Sequence, residues 1–174
     1  ILASGRRVAP GIGLPGSWPV RFARDADGNM LELIGRPVTA PRTRLDRLQV
    51  GLTVSDTRRM RAYYGEALGL PEQPPRPMGD GMTRYAFAVG DSTLKLWSRP
   101  EPLPRLSGPP GARRGIRGVS LAVASLAHAR AELASRGMAP VDGPGIAQTE
   151  RGFWIEDPEG GWIEIREERG AARD

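Results

Sequence analysis

The chain has 174 residues, with 25 Lys and Arg against 20 Asp and Glu, a formal net charge of +5, and no cysteine. This length predicts one or two small domains with a sizeable core, and the absence of cysteine excludes disulfide and thiolate chemistry. The chain opens with no signal-peptide pattern, and no apolar run approaches the about 20 residues of a membrane span. We therefore expect a cytoplasmic protein with no membrane partner.

The excess of basic residues is almost entirely arginine, and Lys95 is the only lysine. Proteins that bind nucleic acids usually gather such charge into one stripe interleaved with stacking aromatic residues. The arginines here are scattered through predicted loops and helix faces. We therefore interpret them as solvated surface and expect no nucleic-acid partner.

Residues 1–36 predict the tail of one structural unit. Ile1 to Gly5 has the pattern of a last helical turn stopped by glycine, and a short strand near Val8 and a Gly/Pro-rich loop follow. A hairpin that runs through Glu32 closes the unit. Because the chain opens inside such a unit, we expect the natural protein to be longer. Residues 37–44, rich in Pro and Arg, predict a linker.

Two complete units are predicted after this linker, each in the order strand, helix, strands. The first strand alternates apolar and polar residues, Ser55 or Asp56 can cap the helix, and Gly69 ends it. The predicted elements of the first unit are a strand over 45–54, a helix over 57–68, a Pro/Gly-rich loop, and a hairpin of strands 84–89 and 92–98 around Gly90 and Asp91.

The second unit repeats this order after a Pro/Gly-rich connection over 99–114. Ser125 is the predicted cap of its helix, and Gly137 the predicted end. The predicted elements are a strand over 115–123, a helix over 126–135 and a hairpin over 153–165, after which residues 167–174 should fray.

One sequence motif occurs twice in the chain. Residues 21–34 return as residues 153–165 with the same spacing, so that Asp25 aligns with Asp157, Gly28 with Gly160 and Glu32 with Glu164. Self-similarity of this kind indicates a fold assembled from copies of one unit. The order of elements makes that unit a βαβββ module, so we predict the α+β class.

Three phrases carry a resemblance to a known family: Leu48 to Asp56, Tyr63 to Leu70, and Asp157 to Ile165. With them, the chain resembles the vicinal oxygen chelate superfamily, which includes glyoxalase I, bleomycin-resistance proteins and extradiol ring-cleaving dioxygenases. The resemblance implies tandem βαβββ modules that form a cup-shaped mixed sheet with helices on the outer face. It implies a complete two-module domain over 45–170, preceded by the C-terminal part of another module.

The resemblance also implies four metal-ligand positions, on the first and last strands of the two modules. Here these positions hold Gln49, Lys95, Gly118 and Glu164, and only Glu164 is a ligand of the family type. We therefore predict no metal or other cofactor in residues 45–170. A divalent metal could bind only through Glu32 and a missing N-terminal part. The single histidine, His128, is interpreted as a solvated helix residue.

Alternation along the strands predicts which side chains face into the cup. They combine aromatic walls with a few polar anchors, as small-molecule sites do. The predicted ligand-binding residues are Gln49, Thr53, Lys95, Trp97, Ser120, Trp162 and Glu164, with Thr93 on the same face. Trp97 and Trp162 should line the pocket, Phe87 and Trp154 should pack, and at least one of Tyr63 and Tyr64 should lie in the core.

Lys95 and Glu164 hold equivalent positions in the two modules, which predicts an ion pair across the cup, within about 6 Å. The pair could simply neutralise a degenerate site, or Lys95 could act as an acid, base or anion anchor, which makes these two residues the catalytic candidates.

Three functions remain open. The favoured one is a glyoxalase/bleomycin-resistance-like protein that binds a small aromatic or planar molecule in a metal-free cup. The second is a lyase or ring-cleaving dioxygenase, either through Lys95 and Glu164 or through a metal site in the missing N-terminal domain. The third is a degenerate scaffold or dimerisation domain. We expect a homo-oligomer, built through the N-terminal segment.

Overall fold

The computed structural model describes residues 20–34, 48–79, 81–98, 116, 118–141 and 152–168. The chain divides into two compact units, Ile1–Arg44 with Gly111–Ile116, and Leu45–Pro110 with Arg117–Asp174. The predicted helix end over 1–5, the strand near Val8, the linker over 37–44 and the connection over 99–114 lie outside the described residues.

The described part of the first unit is a hairpin, as predicted. Its strands are β1, Val20–Arg24, and β2, Met30–Ile34, which pair antiparallel. The turn between them is built on Asp25, whose Oδ1 accepts hydrogen bonds from the backbone N–H groups of Asp27 and Asn29, both at 2.9 Å. Asp25 Oδ2 accepts from the Asn29 side-chain amide at 2.7 Å, and this bond lowers the pKa of the Asp25 carboxyl.

The first complete module contains a four-stranded sheet in the order β3-β6-β5-β4, in which β3 runs parallel to β6. As predicted, Asp56 caps the helix by accepting from Arg59 N, and Gly69 follows the helix with a φ of 77°. The elements are β3, Gln49–Val54; α1, Thr57–Arg61, continued by a π-helical segment over Ala62–Ala67; β4, Glu72–Gly79; β5, Met82–Val89; and β6, Ser92–Ser98.

Strand β4 corrects the sequence analysis, which predicts a Pro/Gly-rich loop at this place. The segment contains Pro74, Pro75 and Pro77, and proline lacks the N–H that a strand inside a sheet must donate. β4 lies at the edge of its sheet and pairs only with β5, so one side of the strand needs no donor. The register shifts between Gln73 and Arg76, where two consecutive prolines interrupt the ladder.

The second module has a three-stranded sheet in the order β7-β9-β8, with β7 parallel to β9. The Ser125 cap and the Gly137 end of the helix are both confirmed. Strand β9 continues to Glu167, and Glu168 N donates to Val123 O at 2.8 Å, so fraying does not begin at 167. The elements are β7, Gly118–Val123; α2, Leu126–Ser135; a bridge from Val141 to Trp154; β8, Gly152–Glu156; and β9, Trp162–Glu167.

The turn between β8 and β9 repeats the turn of the first unit. Asp157 Oδ1 accepts from the backbone N–H groups of Glu159 and Gly161 at 2.9 and 2.8 Å, and Gly28 and Gly160 share a φ of 86°. The copies differ at the fourth residue after the aspartate, which is Asn29 in one and Gly161 in the other. A Cβ atom on Gly161 would overlap Asp157 Oδ2, so the glycine leaves that oxygen accessible.

Alternate residues of both sheets form one apolar core with the helices. Tyr64 is 1% exposed, which confirms that one of the two adjacent tyrosines is a core residue, and Phe87 is completely buried. The buried members are Val54, Met60, Tyr64, Phe87, Leu94, Leu96, Leu126, Leu133, Phe153, Ile155, Ile163 and Ile165. The predicted α+β class of tandem βαβββ modules is confirmed. No helix in the described ranges is long and apolar enough to cross a bilayer.

Candidate functional site

Each sheet has a second face that does not contribute to this core, and we call it the polar face. Residues directly opposite one another on paired strands point to the same side of a sheet. In the four-stranded sheet, Lys95 lies opposite Gly51 and Ala86, and Trp97 lies opposite Thr53 and Arg84. The polar face of this sheet is therefore formed by Gln49, Gly51 and Thr53 of β3, Thr93, Lys95 and Trp97 of β6, and Arg84, Ala86 and Ala88 of β5.

Lys95 occupies the middle of this face. Strand β6 is an inner strand, and Lys95 is only 7% exposed. Its neighbours on both sides, Gly51 and Ala86, have no bulky side chain. The centre of the polar face therefore holds Lys95 between two small residues, of which Ala86 is 1% exposed.

Trp97 is half-buried, and its indole extends across the neighbouring strand. A Cβ atom built on Gly51 would lie only 2.8 Å from Trp97 Nε1. The absence of a side chain at Gly51 therefore allows the ring to lie over β3. This places an aromatic surface on the polar face, while the role of Trp97 as a wall of a ligand pocket stays a prediction.

Arg84 is a polar-face residue that the sequence analysis did not identify. It lies opposite Trp97, and its Nε is buried with no hydrogen-bond partner among the described residues. On its other side, Arg84 lies opposite Arg76 of β4. Alternation along β5 puts Arg84 on the same face of the sheet as Ala86 and Ala88. Whether that is the core face or the polar face follows only from the pairing of β5 with β6.

The polar face of the three-stranded sheet carries Glu164 and two tryptophans. Ser120 donates to Glu164 Oε2 at 2.5 Å, so these two predicted site residues are in direct contact. Trp162 meets Trp154 edge to face, with ring centroids 6.2 Å apart at 81°. Trp154 packs, as predicted, but on the polar face, because it is out of phase with the buried Phe153 and Ile155.

The register confirms that Lys95 and Glu164 hold equivalent positions. Lys95 lies opposite Gly51 on the parallel pair of its module, and Glu164 lies opposite Ser120 on the parallel pair of the other module. The ion pair between them stays a prediction, as does convergence of the two polar faces into one cup. The remaining predicted residues, Gln49 and Thr53, are exposed on β3.

The hydrogen bonds that join the two modules lie on the helix side. Tyr64 donates its hydroxyl to Asp157 Oδ2 at 2.9 Å, and both groups are buried. Glu159 Oε1 accepts from the backbone N–H groups of Ser55 and Asp56, at 2.7 and 2.8 Å, where α1 begins. The turn after β8 thus holds the start and the middle of the helix of the other module.

Burial and negative charge act on both adjacent tyrosines. Burial, with the nearby Asp157 carboxylate as the second cause, raises the pKa of Tyr64 far above its ordinary value. The pKa of Tyr63 is also raised, first by burial, then by the Asp157 carboxylate, and to a smaller extent by Glu156. The Tyr63 hydroxyl is buried and has no hydrogen-bond partner in the described part of the chain, in contrast to that of Tyr64. Both phenols are therefore held in the protonated form.

Two hollows are lined by helix and core residues rather than by the predicted site. One, of about 460 Å³, lies between Tyr63, Glu66 and Arg136. The other, of about 400 Å³, lies between Leu70, Leu121 and Leu133. Neither is lined by the predicted ligand-binding residues.

The four metal-ligand positions implied by the resemblance do not fit a metal ion. A transition metal requires several imidazole, thiolate or carboxylate donors. Gln49 offers only an amide, Gly118 offers nothing, and the Lys95 ammonium repels a cation, which leaves Glu164 alone. The described residues contain no group of three or more His, Cys, Asp and Glu placed to hold a metal. Glu32, opposite Phe22 on the first hairpin, stays a predicted ligand only.

Comparisons with known proteins agree with the fold. The chain is 22% identical to a glyoxalase I mutant from Zea mays, with a TM-score of 0.68, over 95% of this chain and 60% of that one. A glyoxalase family protein from Enterococcus faecalis is 16% identical, with a TM-score of 0.55, over 68% of this chain and 94% of that one. The antibiotic-binding protein TnmS3 from a Streptomyces species is 24% identical, with a TM-score of 0.50, over 70% and 93%.

The chain thus spans 60% of the length of the maize enzyme. No curated protein matches the chain significantly. The sequence profile of the Glyoxalase/Bleomycin resistance protein/Dioxygenase superfamily matches residues 44–165, which is more than half of the 174 residues. The chain belongs to this superfamily.

Proposed function

We propose that this protein binds a small planar or aromatic molecule on the polar face of its four-stranded sheet, without a metal ion. The observation that carries the proposal is the position of Trp97 beside Gly51 and Ala86. The indole offers a flat apolar surface, and the absence of a side chain at Gly51 lets the ring lie over β3.

The chemistry of this face suits binding. Aromatic pairs contribute about 0.5–1.5 kcal/mol beyond the area that they bury, and tryptophan has the largest ring. Gln49 and Thr53 add exposed polar groups on the neighbouring strand, where they can orient a ligand. The other sheet offers Trp162 beside Ser120 and Glu164, so a ligand that contacts both faces would meet two tryptophans.

The superfamily and one of its structural relatives support binding as a function. TnmS3 is described as an antibiotic-binding protein, so a protein of this fold can bind a small molecule. The donor set, with Lys95 and Gly118 at two of the four metal positions, favours binding without a metal.

An enzymatic function is the second candidate, because the similarity to maize glyoxalase I extends over 95% of this chain. In that case a lyase or ring-cleaving dioxygenase would use a divalent metal bound through Glu32 and a further part of the protein, or Lys95 and Glu164 would act without a metal. Metal analysis of the purified protein distinguishes these candidates. A stoichiometric transition metal would favour the metal-dependent enzyme and contradict our proposal.

Tryptophan fluorescence and thermal shift, with a panel of planar aromatic compounds, test binding directly. A ligand that binds only the folded state raises its apparent stability. We expect Trp97→Leu to weaken binding about tenfold. His128→Gln is the matched control, since His128 is exposed on α2 and should leave the affinity unchanged. Equal affinities of the wild type and Trp97→Leu would refute the proposed site.

We also infer that the protein self-associates through its N-terminal hairpin. Met30 is 64% exposed on β2, and Leu31 beside it is also exposed. A second copy of the chain packed on the face of the hairpin that carries Met30 would cover this apolar side chain. Sedimentation velocity should show a dimer that Met30→Glu converts to a monomer, and a monomeric wild type at high concentration would contradict this inference.

A further inference from the structure

The Arg84 side chain has a buried hydrogen-bond donor for which the structure describes no acceptor. Its Nε is buried, and no described group accepts a hydrogen bond from it. Burial removes the hydrogen bond that such a donor makes to water, and without an acceptor in the protein the free energy of this desolvation is not recovered. Such groups are rare in folded proteins, and each one calls for an explanation.

The residues next to Arg84 on the polar face do not neutralise its positive charge. Arg76 lies directly opposite Arg84 on the paired strand, and like charges at such positions repel. No Asp or Glu occupies the polar face in the described parts of β3, β5 and β6.

The carboxylate of β4 cannot compensate for these charges. Glu72 lies opposite Phe87, whose side chain belongs to the core on the other face of the sheet. It accepts hydrogen bonds from Arg61 at 2.8 and 3.1 Å and is therefore engaged with the helix. Two arginines thus lie side by side near Trp97, and the carboxylate of β4 is engaged with the helix.

We propose that Arg84 and Trp97 form an anion subsite, and that the ligand of this protein is an aromatic carboxylic acid. The inference rests on the proposed function, because it specifies the chemical class of the molecule bound on the polar face. The carboxylate accepts hydrogen bonds from the Arg84 guanidinium while the ring lies against the Trp97 indole.

The geometry allows one small molecule to reach both groups. Residues directly opposite each other on antiparallel strands have Cβ atoms about 5 Å apart, so Arg84 and Trp97 start from adjacent points. A guanidinium presents its donors in a planar fork that matches the two oxygens of a carboxylate. A carboxylate is acceptor-only, so its two oxygens suit a guanidinium, which offers only donors.

The test compares each aromatic acid with its own primary amide. Benzoate, cinnamate and naphthoate, with the corresponding amides, would be titrated against the wild type, Arg84→Gln and Arg84→Lys, with tryptophan fluorescence as the signal. The amide keeps the shape and the ring but loses the charge. We expect the wild type to bind at least one acid about tenfold more tightly than its amide, and added salt to weaken the acid only.

Arg84→Gln should abolish this preference while leaving the affinity for the amide unchanged. Arg84→Lys should retain part of the preference, because it keeps the charge without the fork. Arg58→Gln, an exposed arginine on α1, removes the same charge elsewhere and should have no effect. The thermal midpoint of unliganded Arg84→Gln should equal or exceed that of the wild type, since no hydrogen bond is lost. A purely structural arginine would instead lower it.

The outcomes separate this inference from the proposed function. If acids and amides bind equally, and Trp97→Leu weakens both, the site binds neutral planar molecules and the anion subsite is wrong. If an acid is preferred but Arg84→Gln retains the preference, Arg84 is not the anchor and the inference fails. If no compound binds at millimolar concentration, both proposals fail together.

Discussion

Two adjacent tyrosines offer a matched test of how the modules are joined. Tyr64→Phe and Tyr63→Phe each delete one buried hydroxyl from the same helix. The Tyr64 hydroxyl donates to Asp157 Oδ2 at 2.9 Å, whereas the structure describes no partner for the Tyr63 hydroxyl. The same chemical change should therefore have opposite consequences at the two positions.

The magnitude follows from what each deletion leaves behind. In Tyr64→Phe the buried Asp157 carboxylate loses the only side-chain donor to Oδ2 that the structure describes, although Oδ1 keeps two backbone donors. Hydrogen bonds to charged groups contribute about 1.5–3 kcal/mol, so we expect a loss of about 2 kcal/mol. For a chain of this size that lowers the Tm by about 4–8 °C. Tyr63→Phe removes an unsatisfied polar atom and should be neutral or stabilising by about 1 kcal/mol.

Urea unfolding followed by circular dichroism, together with calorimetry, measures both changes. The m-value should stay the same, so that the shift in midpoint reports stability alone. An equal loss of stability in the two variants would refute the reasoning, since it would mean that the hydroxyl contact with Asp157 contributes nothing specific. A double variant should give the sum of the two effects if Tyr63 makes no contribution to the Asp157 bond.

Three further predictions concern pH, the tryptophan site and the helix start. Because the pKa values of Tyr63 and Tyr64 are raised, the folded state keeps both protons. The contribution of these tyrosines to stability should be constant below pH about 10, where unfolded tyrosine ionises, and should fall above it by up to about 1.4 kcal/mol per pH unit for each tyrosine. Absorbance at alkaline pH checks this, and early ionisation of both phenols in the folded protein would contradict it. Gly51→Ala places a methyl group 2.8 Å from Trp97 Nε1 and should displace the indole. We expect a shift in tryptophan emission and about tenfold weaker binding of aromatic ligands, with little loss of Tm. Unchanged emission and affinity would contradict this prediction. Glu159→Gln keeps an acceptor at the start of α1 but removes its charge, and should cost about 0.5–1 kcal/mol in low salt and less in high salt. A salt-independent difference in unfolding free energy would argue against this electrostatic contribution.

Local signals in the sequence predicted the elements that depend on local contacts. Asp56 and Ser125 cap their helices through backbone N–H groups three residues away, and the repeated turn depends on a carboxylate that bonds its own neighbours. These interactions are visible in a short window of sequence. The α+β modules could therefore be predicted before any coordinates were known.

The features that the sequence did not reveal depend on distant pairings. Strand β4 contains three prolines, which locally indicate a loop, and only its position at the sheet edge makes a strand possible. The side of the sheet that Arg84 faces is set by its pairing with β6. The bond from Tyr64 to Asp157 joins residues 93 positions apart, and neither residue signals the other. Alternation within a single strand cannot supply such information.

The contrast between Asn29 and Gly161 has a consequence for how duplicated modules diverge. An asparagine four residues after the aspartate satisfies the second carboxylate oxygen from within the turn, as Asn29 does. A glycine there exposes the same oxygen, and a phenol from a different module occupies it. One substitution after gene duplication would thus convert a self-contained turn into an attachment point. In other proteins with tandem modules, an Asp-x-x-Gly-Gly turn should identify the module whose turn aspartate accepts a hydrogen bond from a helix of the neighbouring module.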